Sequence, residues 1–240
     1  MILAAGLGTR LKPLTDHTPK VLLRAGQYTL LEFAIKKLQK YGFNDLIINI
    51  HHCGRMVIDY LQEHNNFGSN VTISDETDRL LDTGGAIRKV EHFFNDDKPF
   101  IVYNADIISN IDLSSLYEYH LQTGGLATLV VRRRETSRYL MFDELMQLTE
   151  WQNKAKGLSK IVRITEKPPI AFAFSGIHVI SPEIFNMLPH AEVFSIIDAY
   201  LEIAKVHRIV GFVDESSLFA DAGKPDSLAE AGRIASEILL

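Results

Sequence analysis

The chain has 240 residues, of which 46% are hydrophobic and 23% are charged, and its formal net charge is -5. This composition is ordinary for a globular protein, and the acidic balance argues against a general nucleic-acid binder. The single cysteine, Cys53, excludes an intrachain disulfide, and no apolar run approaches the ~18 residues of a membrane span. We therefore expect a cytoplasmic protein with no nucleic-acid or membrane partner, either a monomer or a small homo-oligomer.

The first half of the sequence alternates strand-like with helix-like segments. Residues 1–5 are a buried strand in this interpretation, and because the chain begins inside it, a few residues of that strand are expected to be missing. The other predicted elements of this half are a helix over 29–41 closed by Gly42, a strand over 46–50, a helix over 54–64, a strand over 71–74, a helix over 83–94 and a strand over 100–103. This rhythm predicts a mainly parallel sheet with helices on both faces.

Beyond residue 110 the pattern becomes more elaborate. The predicted strands lie at 126–133, 138–143, 171–180 and 208–213, and the predicted helices at 182–188, 195–206 and 224–239. There is no internal repeat, low-complexity tract or Gly/Ser linker. We expect an α/β fold with a Rossmann-like mixed sheet in a single domain.

A glycine-rich turn follows the first predicted strand, with glycines at positions 6 and 8. Such a turn leaves backbone N–H groups uncovered, and phosphate oxygens bind to them. A dinucleotide-binding fingerprint would need a third glycine where Leu11 stands, and the Gly-Lys-Ser/Thr of a P-loop is absent. A tight turn with no ligand is the alternative.

Two aspartates are candidates for metal ligands. Asp106 follows the predicted strand over 100–103, and ligands of open α/β sheets collect at the carboxyl ends of strands. Asp221 precedes Gly223 and Pro225, where an ordinary helix cap is the alternative. A hard cation such as Mg²⁺ prefers carboxylate and phosphate oxygens.

Two polar runs suggest other chemistry. His51, His52 and Cys53 lack a second ligand pair at zinc-site spacing, so we expect histidines at a strand end. Arg132, Arg133 and Arg134 form a charge run that we expect to be solvated. Trp151 has no assignable role.

The segment Gly-Leu-Gly-Thr-Arg-Leu-Lys-Pro-Leu-Thr over residues 6–15, followed by Pro19-Lys20, resembles the signature of the sugar-1-phosphate nucleotidyltransferases. The resemblance implies a glycosyltransferase-A-type nucleotidyltransferase fold, with residues 1–110 as the nucleotide-binding half and 111–240 as the sugar-binding half. It also implies that Gly8, Thr9 and Arg10 contact the triphosphate and that Lys20 lies against the α-phosphate. The residues placed under the base and ribose are Ala4, Ala5 and Gly6.

The same resemblance extends to the acidic segments. Tyr103-Asn104-Ala105-Asp106 implies that Asp106 binds Mg²⁺ and that Asn104 contacts the substrate. Residues 221–228 resemble the family's Asp-Val-Gly-Thr-Pro-Glu segment and imply that Asp221 is the second Mg²⁺ ligand. The departures are Ala222 for Val, Lys224 for Thr, and Phe219 where a tryptophan is common; they leave the carboxylate intact.

The base and sugar sites follow from two further matches. Residues 80–87 resemble the family's base-contacting segment, with Leu81 and Gly85 as the best positions and Glu76 and Asp78 as weaker ones. A Thr83-capped helix packed closely through Gly84 and Gly85 is compatible with that role. Glu166-Lys167-Pro168 and the strand around Gly176 resemble the sugar side, although the spacing between Glu166 and Gly176 is shorter than in longer members.

The implied activity joins a nucleoside triphosphate to a sugar 1-phosphate, with Mg²⁺ as cofactor and Arg10, Lys20 and Asp106 as catalytic residues. UTP with N-acetylmuramate 1-phosphate or a related hexose 1-phosphate is the favoured pair. The alternatives are a GTP-dependent mannose- or heptose-1-phosphate guanylyltransferase, a phosphocholine cytidylyltransferase, a non-catalytic nucleotide-sugar-binding regulator, and a nicotinamide oxidoreductase already weakened by Leu11.

Overall fold

The computed structural model describes residues 1–240 and contains fourteen strands and six α-helices. The strands are β1 (Ile2–Leu3), β2 (Arg24–Ala25), β3 (Tyr28–Thr29), β4 (Asp45–Ile50), β5 (Asn70–Asp75), β6 (Phe100–Asn104), β7 (Ile107–Ser109), β8 (Ala127–Arg132), β9 (Arg138–Phe142), β10 (Leu148–Asn153), β11 (Leu158–Ile161), β12 (Ile170–Ile180), β13 (Ile209–Val213) and β14 (Phe219–Asp221). The helices are α1 (Leu30–Lys40), α2 (Gly54–Glu63), α3 (Asp82–Lys89), α4 (Leu113–Thr123), α5 (Ile196–Ile203) and α6 (Pro225–Glu237). No helix is long and apolar enough to span a membrane.

The chain forms two compact units. The first comprises residues 1–81, 103–113 and 217–240, and the second comprises 82–102 and 114–216. The C-terminal segment therefore groups with the N-terminal one, although more than a hundred residues separate them in sequence.

The first unit contains most of the parallel strand pairs. β1 pairs in parallel with β4 and with the end of β6, and β4 pairs in parallel with β5. Ile2 and Leu3 lie opposite Ile48 and Asn49 of β4, and Leu3 also lies opposite Asn104. Because parallel strands end at the same edge, the segments that follow β1, β4, β5 and β6 meet there.

A second layer of the first unit supports the acidic segments. The short strands β7 and β14 pair antiparallel, with Asp221 opposite Ile107. Ile108 of β7, Ala220 of β14 and Ala222, which follows β14, share one buried cluster with residues of α1 and α6. This apolar contact fixes the position of β14, which is too short to be stable alone.

The second unit has a mixed sheet in which antiparallel pairs predominate. β8 pairs antiparallel with β12 and parallel with β13, while β12, β9, β10 and β11 follow one another antiparallel. The mixed sheet with helices is confirmed as the fold class, and its parallel part is mainly in the first unit.

Several boundaries differ from the sequence prediction. The helix predicted over 83–94 ends at Lys89 and continues as a 3-10 turn, and the segment predicted as a helix over 182–188 is a 3-10 helix, Pro182–Met187. The prediction missed α4 and the strands β2, β3, β7, β10, β11 and β14. Helix α1 agrees within one residue at each end, because Thr29 caps it by accepting from the Glu32 N–H at 3.1 Å and Gly42 follows with a φ of 82°.

Candidate active site

The glycine-rich turn leaves the sheet directly after β1. Ala4 and Ala5 are buried, whereas Gly6, Thr9 and Arg10 are exposed. Gly8 has a φ of 63°, and a Cβ at this position would lie 2.8 Å from a methyl carbon of Thr15. The Thr15 hydroxyl also donates to the Gly8 carbonyl at 2.9 Å. Glycine at position 8 therefore avoids both a strained backbone conformation and a close contact with Thr15.

Lys20 brings a cation to the carboxyl end of β6. It is 9% exposed and begins a 3-10 turn after Pro19. Its ammonium group donates to the carboxylate of Asp106, which lies between β6 and β7. The nearby Tyr103 hydroxyl donates to the Ile107 carbonyl at 3.1 Å, and burial, together with the charge of Asp106, raises the pKa of this phenol. Tyr103 thus stays neutral beside the ion pair.

The second carboxylate lies on the strand paired with β7. The Ala222 N–H donates to the Asp106 carbonyl at 2.9 Å, so the backbones of the two acidic segments are in direct contact. Asp221 accepts from the Gly223 N–H at 3.0 Å. A Cβ on Gly223 would lie 2.7 Å from Asp221 Oδ1 and 2.9 Å from Arg10 Nη2. The guanidinium therefore lies beside Asp221, in space that only a glycine leaves open.

These contacts bring four predicted residues together within the first unit: Arg10, Lys20, Asp106 and Asp221. No group of three or more His, Cys, Asp or Glu side chains in the structure forms a ready metal cluster. Two carboxylates nevertheless fit Mg²⁺, which usually takes one or two protein carboxylates and completes its shell with substrate phosphates and water. These two carboxylates therefore suit a metal ion that binds together with a polyphosphate.

The predicted base-contacting residues fall in different units. Leu81 ends the first segment of the first unit, where its N–H donates to Glu76 Oε2 at 3.1 Å. Gly85 is buried in α3 of the second unit, and its N–H points to the Phe194 carbonyl at 3.3 Å. A Cβ on Gly84 would overlap the Phe194 ring, so this glycine allows α3 to pack closely against the segment that precedes α5. The Thr83 hydroxyl accepts from the Ile196 N–H at 3.0 Å, which makes it a contact between helices α3 and α5.

The predicted sugar-side residues differ in exposure: Glu166 and Lys167 are exposed, Asn104 is half-buried and Gly176 is buried. Gly176 has a φ of 73° at an irregularity of β12, where the pairing with β8 shifts register between Phe174 and His178. Glu166 and Lys167 are exposed, and the Lys167 ammonium pairs with Glu144 at 2.6 Å. Asn104 is half-buried at the end of β6, beside β1. Of the sugar-side residues, only Asn104 lies in the unit that holds the four charges.

Two polar runs have structural roles. His51 Nδ1 lies 2.6 Å from the Glu76 carbonyl, and His52 Nε2 lies 3.3 Å from Cys53 Sγ, so neither forms part of a metal cluster.

The expectation of a solvated arginine run was wrong in part. Arg132 and Arg134 are half-buried beside β12, and burial lowers the pKa of Arg132. Arg133 is exposed and pairs with Glu215 at 2.7 Å.

The sequence indicated Glu76 only as a weaker base-contacting candidate and did not identify Asn49 or the buried hydrogen bonds that join the two. Asn49 at the end of β4 and Glu76 after β5 are 3% and 2% exposed. A polar pair at the carboxyl ends of two predicted parallel strands was the only available signal. Their hydrogen-bond partners beyond the pair are the backbone N–H groups of Ala4 and Leu81, which no local pattern connects.

Comparison with known proteins shows the family of this chain. Residues 1–237 match the family model described as nucleotidyl transferase, so the chain belongs to the nucleotidyl transferase family. It is 28% identical over 232 residues to the mannose-1-phosphate guanyltransferase of Yarrowia lipolytica, covering 94% of this chain and 60% of that protein. It is 27% identical over 239 residues to the N-acetylmuramate alpha-1-phosphate uridylyltransferase of Neisseria meningitidis serogroup B, covering 98% and 97%.

The solved structures support the fold. A candidate glucose-1-phosphate thymidylyltransferase from Bacillus anthracis, solved in complex with sucrose, superposes with a TM-score of 0.81 at 23% identity, covering 100% of this chain and 95% of that one. Three of the curated relatives, the Yarrowia enzyme among them, are longer proteins, of which this chain spans between 52% and 63%.

Proposed function

We propose that this chain transfers a nucleotidyl group from a nucleoside triphosphate to a sugar 1-phosphate, giving an NDP-sugar and pyrophosphate. The observation that carries the proposal is the set of two cations and two carboxylates at the edge of the parallel strands. Lys20 contacts Asp106, Arg10 lies beside Asp221, and the Asp106 carbonyl accepts from Ala222. A polyphosphate with a bound divalent cation complements these charges, because its oxygens pair with the two cations and its metal pairs with the two carboxylates.

The reaction exchanges one phosphorus–oxygen bond for another. An oxygen of the sugar 1-phosphate attacks the α-phosphorus, and the bond to the bridging oxygen breaks, so the electron pair leaves with pyrophosphate. The nucleophile is already an anion, so no general base is required. Positioning and electrostatic stabilisation therefore supply most of the catalysis.

The roles proposed for these residues come from the sequence motifs and are compatible with their positions. Arg10 and the N–H groups of Gly8 and Thr9 hold the departing pyrophosphate. Lys20 meets the charge that develops on the α-phosphoryl group. Asp106 and Asp221 would hold Mg²⁺, which supplies charge neutralisation of the phosphate oxygens when it is bound.

The remaining contacts are assigned from the sequence motifs. Ala4, Ala5 and Gly6 lie under the ribose and base, while Leu81 and Gly85 approach the base through their main chain. Asn104 contacts the sugar substrate. Glu166, Lys167 and Gly176 complete the sugar side in this proposal, and Lys167 must first leave its exposed pair with Glu144.

The favoured substrates are UTP and N-acetylmuramate 1-phosphate or a related hexose 1-phosphate. The Neisseria relative supports this pair because the match spans nearly the full length of both proteins. A guanylyltransferase acting on mannose or heptose 1-phosphate is the second candidate, supported by the similarly distant Yarrowia relative.

A substrate panel tests the proposal. UTP, GTP, CTP and dTTP are each incubated with a set of sugar 1-phosphates and phosphocholine in Mg²⁺, and pyrophosphate release is measured. We expect turnover with UTP and N-acetylmuramate 1-phosphate or a related hexose 1-phosphate, and loss of this turnover on chelation of the metal. Binding of a nucleotide-sugar without turnover would point to a regulator, and binding of NAD with no NTP would point to an oxidoreductase; either result contradicts the proposal.

A further inference from the structure

Glu76 is a buried carboxylate at the carboxyl end of the parallel strands. Its Oε1 accepts from Asn49 Nδ2 at 2.8 Å, and its Oε2 accepts from the Leu81 N–H at 3.1 Å. The residue is 2% exposed, and its backbone N–H donates to the Ile50 carbonyl at 2.8 Å. With both oxygens engaged and almost no exposed surface, this side chain acts through its neighbours.

The carboxylate determines which way the Asn49 amide faces. Because Nδ2 donates to Glu76, the amide oxygen of Asn49 is turned toward β1, where it accepts from the Ala4 N–H at 2.6 Å. An amide group whose two ends face opposite partners has one orientation that satisfies both. The three hydrogen bonds form a continuous path from Ala4 through Asn49 and Glu76 to Leu81.

The two ends of this path are the backbone segments that we assign to the nucleotide. Ala4 begins the segment under the base and ribose, and Leu81 is the residue whose main chain approaches the base. We propose that Glu76 and Asn49 are positioning residues that set the spacing of these two walls of the nucleobase pocket. The inference rests on the proposed function for the identity of the ligand.

The phosphate-binding part of the loop has its own support. The Gly8 carbonyl accepts from the Thr15 hydroxyl at 2.9 Å and from the Leu11 N–H at 2.8 Å. Neither bond involves Asn49 or Glu76. We call the hydrogen-bonded path Ala4–Asn49–Glu76–Leu81 the relay. A disturbance of the relay therefore weakens binding of the base more than binding of the triphosphate.

Three variants distinguish a positioning role of Glu76 and Asn49 from a general packing role. In Glu76→Gln only one side-chain oxygen remains, so either the Leu81 N–H or the Ala4 N–H loses its acceptor after the Asn49 amide adjusts. Asn49→Asp places two carboxylates against each other. The double variant Asn49→Asp with Glu76→Gln restores all three bonds, because the new amide donates to the new carboxylate and each side chain retains an oxygen for its backbone partner. Glu63→Gln, an exposed position on α2, is the matched control.

The experiment measures dissociation constants by calorimetry in Mg²⁺ for UTP, GTP, CTP and dTTP and for inorganic tripolyphosphate, which has no base. For the nucleotide that wild type binds most tightly, we expect Glu76→Gln to weaken binding by at least about tenfold. Tripolyphosphate affinity should stay within about twofold, and the double variant should recover most of the nucleotide affinity. Thermal unfolding of each variant checks that it is folded.

The outcomes separate this inference from the proposed function. Unchanged nucleotide affinity in Glu76→Gln, equal losses for nucleotide and tripolyphosphate, or a double variant no better than the singles would overturn the positioning role. If Glu76→Gln does not fold, rescue of folding and nucleotide affinity by the double variant supports the relay, and failure of both variants to fold refutes it. Absence of wild-type turnover with every NTP refutes the proposed function alone, since the binding measurements do not depend on turnover.

Discussion

Replacement of Lys20 by methionine tests the charge arrangement most directly. Methionine keeps the unbranched stem of this 10%-exposed side chain and removes only the ammonium group. The side chain of Asp106 is 23% exposed, so water can replace part of the lost contact, and we expect the free energy of unfolding to fall by about 1–2 kcal/mol. Loss of a cation aimed at the developing charge should cost about 2–4 kcal/mol in the transition state.

In rate terms this is a loss of about 30- to 900-fold in kcat/KM. Steady-state pyrophosphate release with the best substrate pair of the panel measures it. Lys12→Met is the matched control, because the Lys12 side chain is 60% exposed and pairs only with Asp16 on the surface, where such a pair contributes about 0–1 kcal/mol.

A second measurement does not depend on turnover. The ion pair with Lys20 competes with any cation for the Asp106 carboxylate, so Lys20→Met should bind Mn²⁺ more tightly than wild type when no nucleotide is present. Electron paramagnetic resonance of free Mn²⁺ reports this affinity. A kcat/KM within threefold of wild type, in a Lys20→Met protein that is folded, would refute the assigned role.

Three other outcomes are expected. Asp106→Asn and Asp221→Asn should each abolish turnover while the melting temperature stays within a few degrees of wild type, checked by activity at saturating Mg²⁺ and by calorimetry; wild-type rates would contradict the metal assignment. Gly8→Ala should raise the KM for the nucleotide and lower stability by more than Gly157→Ala, because both have a φ near 62° but only Gly8 has a side-chain atom 2.8 Å from the new Cβ. Burial lowers the pKa of His178 from 6.5 to about 3, so the unfolded chain binds a proton that the folded one does not, and stability should fall as the pH drops below about 6.5. Urea unfolding between pH 7 and 4 measures the free energy of unfolding as a function of pH. The slope of this dependence should be shallower in His178→Asn than in wild type by up to about 1.4 kcal/mol per pH unit, and equal slopes would contradict the prediction.

The sequence predicted the elements whose pattern is local. Helix α1 has an apolar face together with Thr29 at its start and Gly42 after its end, so its bounds agree within one residue. Strands β4, β6 and β12 are mostly apolar and buried, and such an apolar run predicts a buried strand without knowledge of its neighbours. These segments also position the motifs, because Asp106 lies two residues beyond the end of β6.

Other elements depend on partners far along the chain. β14 has three residues, too few to show a hydrophobic periodicity, and it is stabilised by pairing with β7 and packing against α6. β10 and β11 are polar strands whose pairing with each other and with β9 decides their conformation. Helix α4 was missed because its serines and aromatic residues obscure the spacing of Leu113, Leu116 and His120, which are buried.

The amino-acid sequence by itself determined the motifs, because glycines, cations and carboxylates at fixed local spacings can be identified without knowing the fold. It predicted Arg10, Lys20, Asp106 and Asp221 as one site only through family resemblance. The tertiary structure decided that Lys20 contacts Asp106, that Arg10 lies beside Asp221, and that Asn49 and Glu76 connect Ala4 with Leu81. Most of these contacts join residues tens to hundreds of positions apart, and no local pattern encodes which buried donor will meet which acceptor once the strands have paired.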